Sequence, residues 1–360
     1  MKSKNLKNRR EFLKGSTATA ASTLLAPAVW TSAARADMQR LIVGGSGGAI
    51  DDVYQEAYYQ PYYEATGIQV IPVTRRENPL AATRAIVETG TYQWDMGEGI
   101  AQDVATTLGA GGYLEPLDLS GPISDVSDAM KTEHFVSATT GAFILAYNTE
   151  KYDNPISYAD MWDVDQFPGR RGLRQSARES VSVALVADGV HPGEISSVLS
   201  DEAGWARAFA KLDEIKDDIA VWWSSAAQTP TLLQTGEVDI CTTFNGRAQT
   251  VIDTGSPIAI TWEGSTYNNY GWMIPKGSPK ADMAREFIKF CVQPERQAVA
   301  ATLYGGGPSN PNSFNFIDPE RAKIMPTHPD NIKGMAQLDF RFWGPIQEEA
   351  TIRFNDWIQS

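Results

Sequence analysis

Apolar and polar positions along residues 40–99 switch repeatedly between a strand pattern and a helix pattern. RLIV at 40–43 is a continuous apolar run that enters GGSGG at 44–48, as a buried strand enters a tight turn. DDVYQEAYYQPYYEATG then predicts a helix, with Asp51 and Asp52 in its first turn and Gly67 as its stop. IQVIPV at 68–73 predicts a second strand. NPLAATRAIVETG sets Leu80, Thr83, Ile86 and Val87 on one side of a helix closed by Gly90. QWDMGEG at 93–99 predicts a third strand. Strands separated by helices at this spacing predict a parallel sheet with right-handed crossovers.

The middle of the chain repeats the logic. TTGAFILAYNTEKY reads as a strand pair ending in a turn, ISYADMWDV as a short helix, and GEVDICTTFNG as a buried strand. SDEAGWARAFAKLDEIK carries Trp205, Phe209, Leu212 and Ile215 at helical spacing. Further on, SPKADMAREFIKFCVQPERQAVAATLYGG predicts two helices split at Pro294. A length of 360 residues suits two domains. No internal repeat or low-complexity linker separates them, so the expected fold class is α/β, with two intertwined lobes.

The first 36 residues change the picture of where the protein works. MKSKNLKNRREFLK is a basic region, GSTATAASTLLAPAVW a short apolar run, and Ala34-Arg35-Ala36 a small-residue cleavage site. NRREFLK resembles a twin-arginine export signal, with Arg9 and Arg10 in place. Its removal takes away seven basic residues and one acidic one, moving the net charge from -13 to -19. The expected address is the periplasm. Such acidity argues against a nucleic-acid partner. Cys241 and Cys291 could pair in that compartment, but folding before export in a reducing cytosol favours two free buried thiols.

Catalytic patterns are missing. His134, His191 and His328 stand far apart with no metal-binding spacing, and there is neither a nucleophile elbow nor a phosphate-binding loop with its lysine. GGSGG reads as a tight strand-to-helix turn. No cofactor, no metal and no enzymatic activity are expected.

Several segments together resemble the periplasmic solute-binding proteins of ABC importers, in the branch of the spermidine/putrescine binders. EATGIQVI, GTYQWDM, GAFILAYNTEKY, PISYADMWD, FPGRRGL, GEVDICTTFNGRA, YGWMIPKGSPK, AREFIKF, PERQ and YGGGPSNP form a collinear match over nearly all of 40–315. The resemblance implies a type II-like periplasmic binding fold with a hinge and an inter-lobe ligand cleft. It implies lobe I at 37–146 plus about 269–320, and lobe II at about 147–268 plus 321–360. It also implies capture of one small solute by a monomer, closure about the hinge, and delivery to permease subunits.

Ligand residues follow from where the chain departs from that branch. Polyamine binders hold ammonium ends with carboxylates; at the corresponding positions this chain has Asn268 and Tyr270, then Ser176 and Glu179. A primary ammonium wants acceptors, whereas a methylated onium head is held by ring faces. With Trp222, Trp223, Trp272, Phe244 and Trp94 as candidate rings and Glu98 as remaining charge, the expected solute is a betaine-, choline- or dimethylsulfoniopropionate-like onium compound. Arg174, Arg178, Arg75 or Arg76 would pair a carboxylate in a zwitterion. Either Trp222 or Trp223 belongs to the core. Tyr58-Tyr59 and Tyr62-Tyr63 do not lie where iron binders of this superfamily place their tyrosines. Polyamine binding is the alternative ligand class; a secreted enzyme or a sensor-associated binding module is the alternative of a different kind.

Overall fold

The computed structural model describes residues 40–47, 49–75, 78–118 and 120–360. The export signal expected at 1–36 and Arg76 lie outside them. Ten strands form one sheet: β1 Arg40–Gly45, β2 Gln69–Thr74, β3 Met96–Ala101, β4 Lys131–Thr132, β5 Phe135–Asn148, β6 Arg171–Arg174, β7 Ile219–Trp223, β8 Ile240–Phe244, β9 Ile258–Met273 and β10 Ala336–Gln337. The path across it is β2-β1-β3-β9-β5-β8-β6-β7, with β4 added to β5 and β10 to β9.

Two parallel triplets flank a central antiparallel pair. β2, β1 and β3 are parallel on one side, and β8, β6 and β7 are parallel on the other. β5 and β9 run antiparallel between them from Val136 opposite Trp272 to Asn148 opposite Ile258. The stretch expected to be a strand pair is one strand of 14 residues. It is buried almost throughout, so it lacks the polar alternation that would mark its length.

Each triplet has its own hydrophobic core. One joins Leu41, Val70, Met96, Val136, Trp272 and Phe287; the other joins Ile144, Leu173, Trp205, Trp223, Ile240 and Phe354. Membership changes along β5 between Ala138 and Ala142, and along β9 between Ile258 and Trp272. The fold is therefore two α/β lobes joined by continuous crossing strands. The ligand cleft of such a fold lies where strand ends face one another.

Local chemistry explains the elements. Residues 49–66 run as α-helix Ala49–Tyr54, a π turn Gln55–Tyr59, and α-helix Gln60–Thr66. Tyr54, Tyr58, Tyr59 and Tyr62 are buried along this segment, with Tyr58 against Trp272 and Tyr62 against Phe287. The tandem tyrosines are thus core residues apart from exposed Tyr63. Gly67 and Gly90 stop their helices at φ of 73° and 66°, where a Cβ would be strained. Pro294 opens the helix Pro294–Tyr304, where its missing N–H costs no intrahelical bond. The chain closes with a helix at Phe340–Gln359, whose Trp343 packs edge-on against Trp205.

Candidate functional site

β6 ends at Arg174, and Ser176 leads into the helix Ala177–Ala187. This brings two arginines and an acid together. Glu179, buried in the first helical turn, accepts from Arg174 Nη1 at 2.7 Å, Arg178 Nη2 at 2.7 Å and Arg178 Nε at 3.1 Å. The Ser176 hydroxyl donates to its other oxygen. Burial alone would raise the Glu179 pKa; Arg178, Arg174 and Ser176 outweigh it and hold the carboxyl below its ordinary value. The trio carries one net positive charge.

The same arginines cover aromatic faces. The Arg174 guanidinium lies 5.5 Å from the Trp223 ring centre and 5.4 Å from that of Phe244. Arg178 lies 5.4 Å from the Phe340 ring centre, at the start of the C-terminal helix.

Two adjacent chambers share Arg178, Asn268, Tyr270 and Phe340 in their linings. The polar one has a cavity volume of about 350 Å³ and adds Asp103, Arg174, Ser176, Gln347 and Thr351. The apolar one, about 60 Å³, adds Phe143, Tyr158, Val183, Val186, Phe244 and Leu338. Asp103 sits in the first turn of the helix Gln102–Ala110 that follows β3, facing Arg174 and Arg178 from the other lobe. Its Oδ1 is buried without a hydrogen-bond partner. Burial raises its pKa, against backbone N–H donors and the attraction of Arg178. Tyr270 is likewise pushed up by burial, opposed by a hydrogen bond with Asn268 and by Arg178.

The remaining expected residues are distributed as follows. Arg174, Ser176, Glu179, Phe244, Asn268 and Tyr270 line the chambers. Trp223 is 1% exposed and lies beneath Arg174. Trp222 points to the opposite side of β7, against Phe354 and Trp357. Trp272 is sealed in the first core against Tyr54 and Tyr58. Trp94 is buried where Gly44 leaves room for it, since a Cβ there would lie 2.8 Å from the indole. Glu98 is 1% exposed and accepts from the Tyr59 hydroxyl. Arg75 donates to the Glu98 backbone carbonyl at 2.9 Å. The glycines that end β1 thus give clearance to core side chains. Asp103 and Phe340 were missed; an acid just after the third strand is the one signal that pointed to the former.

Among the described residues no cluster of His, Cys, Asp and Glu is fit to hold a metal. His191 and His328 accept from backbone N–H groups at the starts of short helical turns. Both cysteines are free and buried. No helix of the described residues is long and apolar enough to cross a membrane.

Two α/β lobes around a cleft that offers charge and shape define a solute-binding protein. The chain belongs to the bacterial extracellular solute-binding protein family, matched over residues 57–327. It is 34% identical over 331 residues to the gamma-aminobutyric acid-binding protein of Pseudomonas aeruginosa, across 91% of this chain and 93% of the relative. It is 24% identical over 287 residues to the spermidine/putrescine-binding periplasmic protein of Escherichia coli, across 75% of this chain and 79% of that one. An ABC transporter substrate-binding protein from Bradyrhizobium japonicum superposes with a TM-score of 0.77 at 31% identity, over 88% of this chain and 99% of its own. This chain is the substrate-binding component of an ABC transporter, a binding protein and not an enzyme; such components hand small solutes to permease subunits.

Proposed function

We propose that this protein captures a small zwitterionic amino carboxylate, such as γ-aminobutyrate, in the periplasm and delivers it to its permease as a monomer. The observation that carries the reading is the charge balance of the cleft. Glu179 is already satisfied by Arg174, Arg178 and Ser176, so that wall presents positive charge and wants a carboxylate. Asp103, with a buried unpaired oxygen on the facing wall, is the acceptor for the ammonium. The gamma-aminobutyric acid-binding relative supports the same class.

The onium variant of the zwitterion needs ring faces open to the cleft. Trp223 and Phe244 already face Arg174, which favours a primary ammonium on Asp103 over a methylated head. A polyamine would meet the arginines with like charge. The lobes are 37–146 with about 269–320 and about 147–268 with 321–360; the separate cores support two lobes, with the change along β5 falling a few residues earlier, between Ala138 and Ala142. The twin-arginine segment at 1–36 carries the protein to the periplasm.

Calorimetry on the mature chain from Asp37 tests the reading, with γ-aminobutyrate, butylamine, putrescine, spermidine, glycine betaine and dimethylsulfoniopropionate. A charge-assisted hydrogen-bonded contact is worth about 1.5–3 kcal/mol, so butylamine should bind about 10- to 150-fold more weakly than γ-aminobutyrate. Tighter binding of putrescine or spermidine would return the polyamine reading, and tighter binding of the methylated zwitterions the onium one.

A further inference from the structure

We propose that the apolar chamber is a subsite for a short hydrocarbon branch on the solute, and that Phe340 is the partition that limits the size of that branch. The proposal rests on the zwitterion reading of the polar chamber. The chambers share Arg178, Asn268, Tyr270 and Phe340 in their linings, so a solute gripped by Arg178 has the apolar chamber beside it.

What the chamber lacks identifies its occupant. Asp103 in the polar chamber has a buried oxygen without a partner, but no side chain lining the apolar chamber does. Three of its polar groups are held internally: the Tyr158 hydroxyl pairs with Ser265 Oγ at 3.0 Å, Ser182 Oγ donates to the Arg178 carbonyl, and Glu179 holds its arginines. Phe143, Val183, Val186, Phe244 and Leu338 make most of the remaining lining apolar, so a hydrocarbon branch entering there gains burial. A volume of about 60 Å³ limits the occupant to a few carbon atoms.

Phe340 is held firmly enough to act as a wall. β10 pairs with β9, the Leu338 N–H donates to the Tyr267 carbonyl at 2.9 Å, and Asp339 caps the helix that Phe340 begins. Arg178 faces the Phe340 ring. The ring is therefore fixed between the guanidinium and an anchored backbone.

Calorimetry with γ-aminobutyrate, its 3-methyl and 3-isobutyl derivatives and its trimethylammonio analogue tests this on the wild type, Phe340→Ala and Phe340→Trp. The readout is each affinity divided by that of γ-aminobutyrate on the same protein, which cancels a general loss of folding or binding. In the wild type the ratio should rise by roughly fourfold per buried carbon until the chamber is full. Phe340→Ala should shift the size optimum to larger branches, and Phe340→Trp should bring the isobutyl ratio below one. Ratios at or below one for every branch, or unchanged between variants, would overturn the subsite while leaving the zwitterion reading intact. A greater gain from the trimethylammonio analogue than from either branch would make the chamber a cation seat and also overturn it. Failure of all four compounds to bind would remove the zwitterion reading and this subsite together.

Discussion

Replacing Glu98 by Gln isolates the free energy of keeping a carboxyl group inside the first core. Glu98 is 1% exposed, accepts from Tyr59 through Oε2, and has no hydrogen-bond partner for Oε1. Burial is the main cause that pushes its pKa from 4.5 up to about 8; Asp51 adds to the rise, while the Tyr59 hydrogen bond and Arg75 oppose it. At pH 7 the folded protein therefore holds a proton on Glu98 that the unfolded chain has released. The stability contributed by that proton is complete below about pH 4.5 and is lost as pH rises toward 8. The slope approaches about 1.4 kcal/mol per pH unit, or about 4 kcal/mol between pH 5 and 8. Gln does not titrate, nearly matches Glu in shape, and keeps an acceptor for Tyr59. Urea unfolding of both proteins at pH 5, 6, 7 and 8 measures the difference. The Gln variant should gain steadily on the wild type with pH, by up to about 4 kcal/mol over the range. A constant difference would refute the reasoning, because Glu98 would then be ionised in the fold.

Two further outcomes follow from the two cores. Gly45→Ala should cost about 1–3 kcal/mol in thermal or urea unfolding, because its methyl would lie 2.5 Å from Glu98 Oε1. Adding Glu98→Ala should recover part of that cost, and strict additivity of the two changes would contradict the contact. Cys241 and Cys291 are buried, with burial pushing the Cys241 thiol up to about 12, so a thiol reagent at pH 8 should find neither in the native protein. In guanidinium without reductant it should find both, and recovery of neither would reveal a disulfide.

The sequence disclosed the lobes more readily than the cleft for physical reasons. Strands such as RLIV and helices closed by Gly67 or Gly90 are specified by neighbours along the chain, so their pattern is local. The cleft joins Asp103, Arg178, Tyr270 and Phe340, which meet only because β5 and β9 carry the chain between lobes. Strand alternation predicts that Trp222 and Trp223 point to opposite sides, but not which side faces the site; packing of Trp222 on the C-terminal helix decides it.

Ligand charge is harder still to read from residue types. Loss of two acids relative to the polyamine binders, with Tyr270 among the replacements, suggested rings waiting for an onium head. In the folded site Arg174 faces Trp223 and Phe244, and Glu179 is consumed by two arginines and a serine. The charge offered to a solute is what remains after these internal pairs are subtracted. That remainder is positive on the Arg174–Arg178 wall and negative at Asp103, a polarity that residue counts alone do not reveal. That polarity is what the proposed zwitterionic solute rests on.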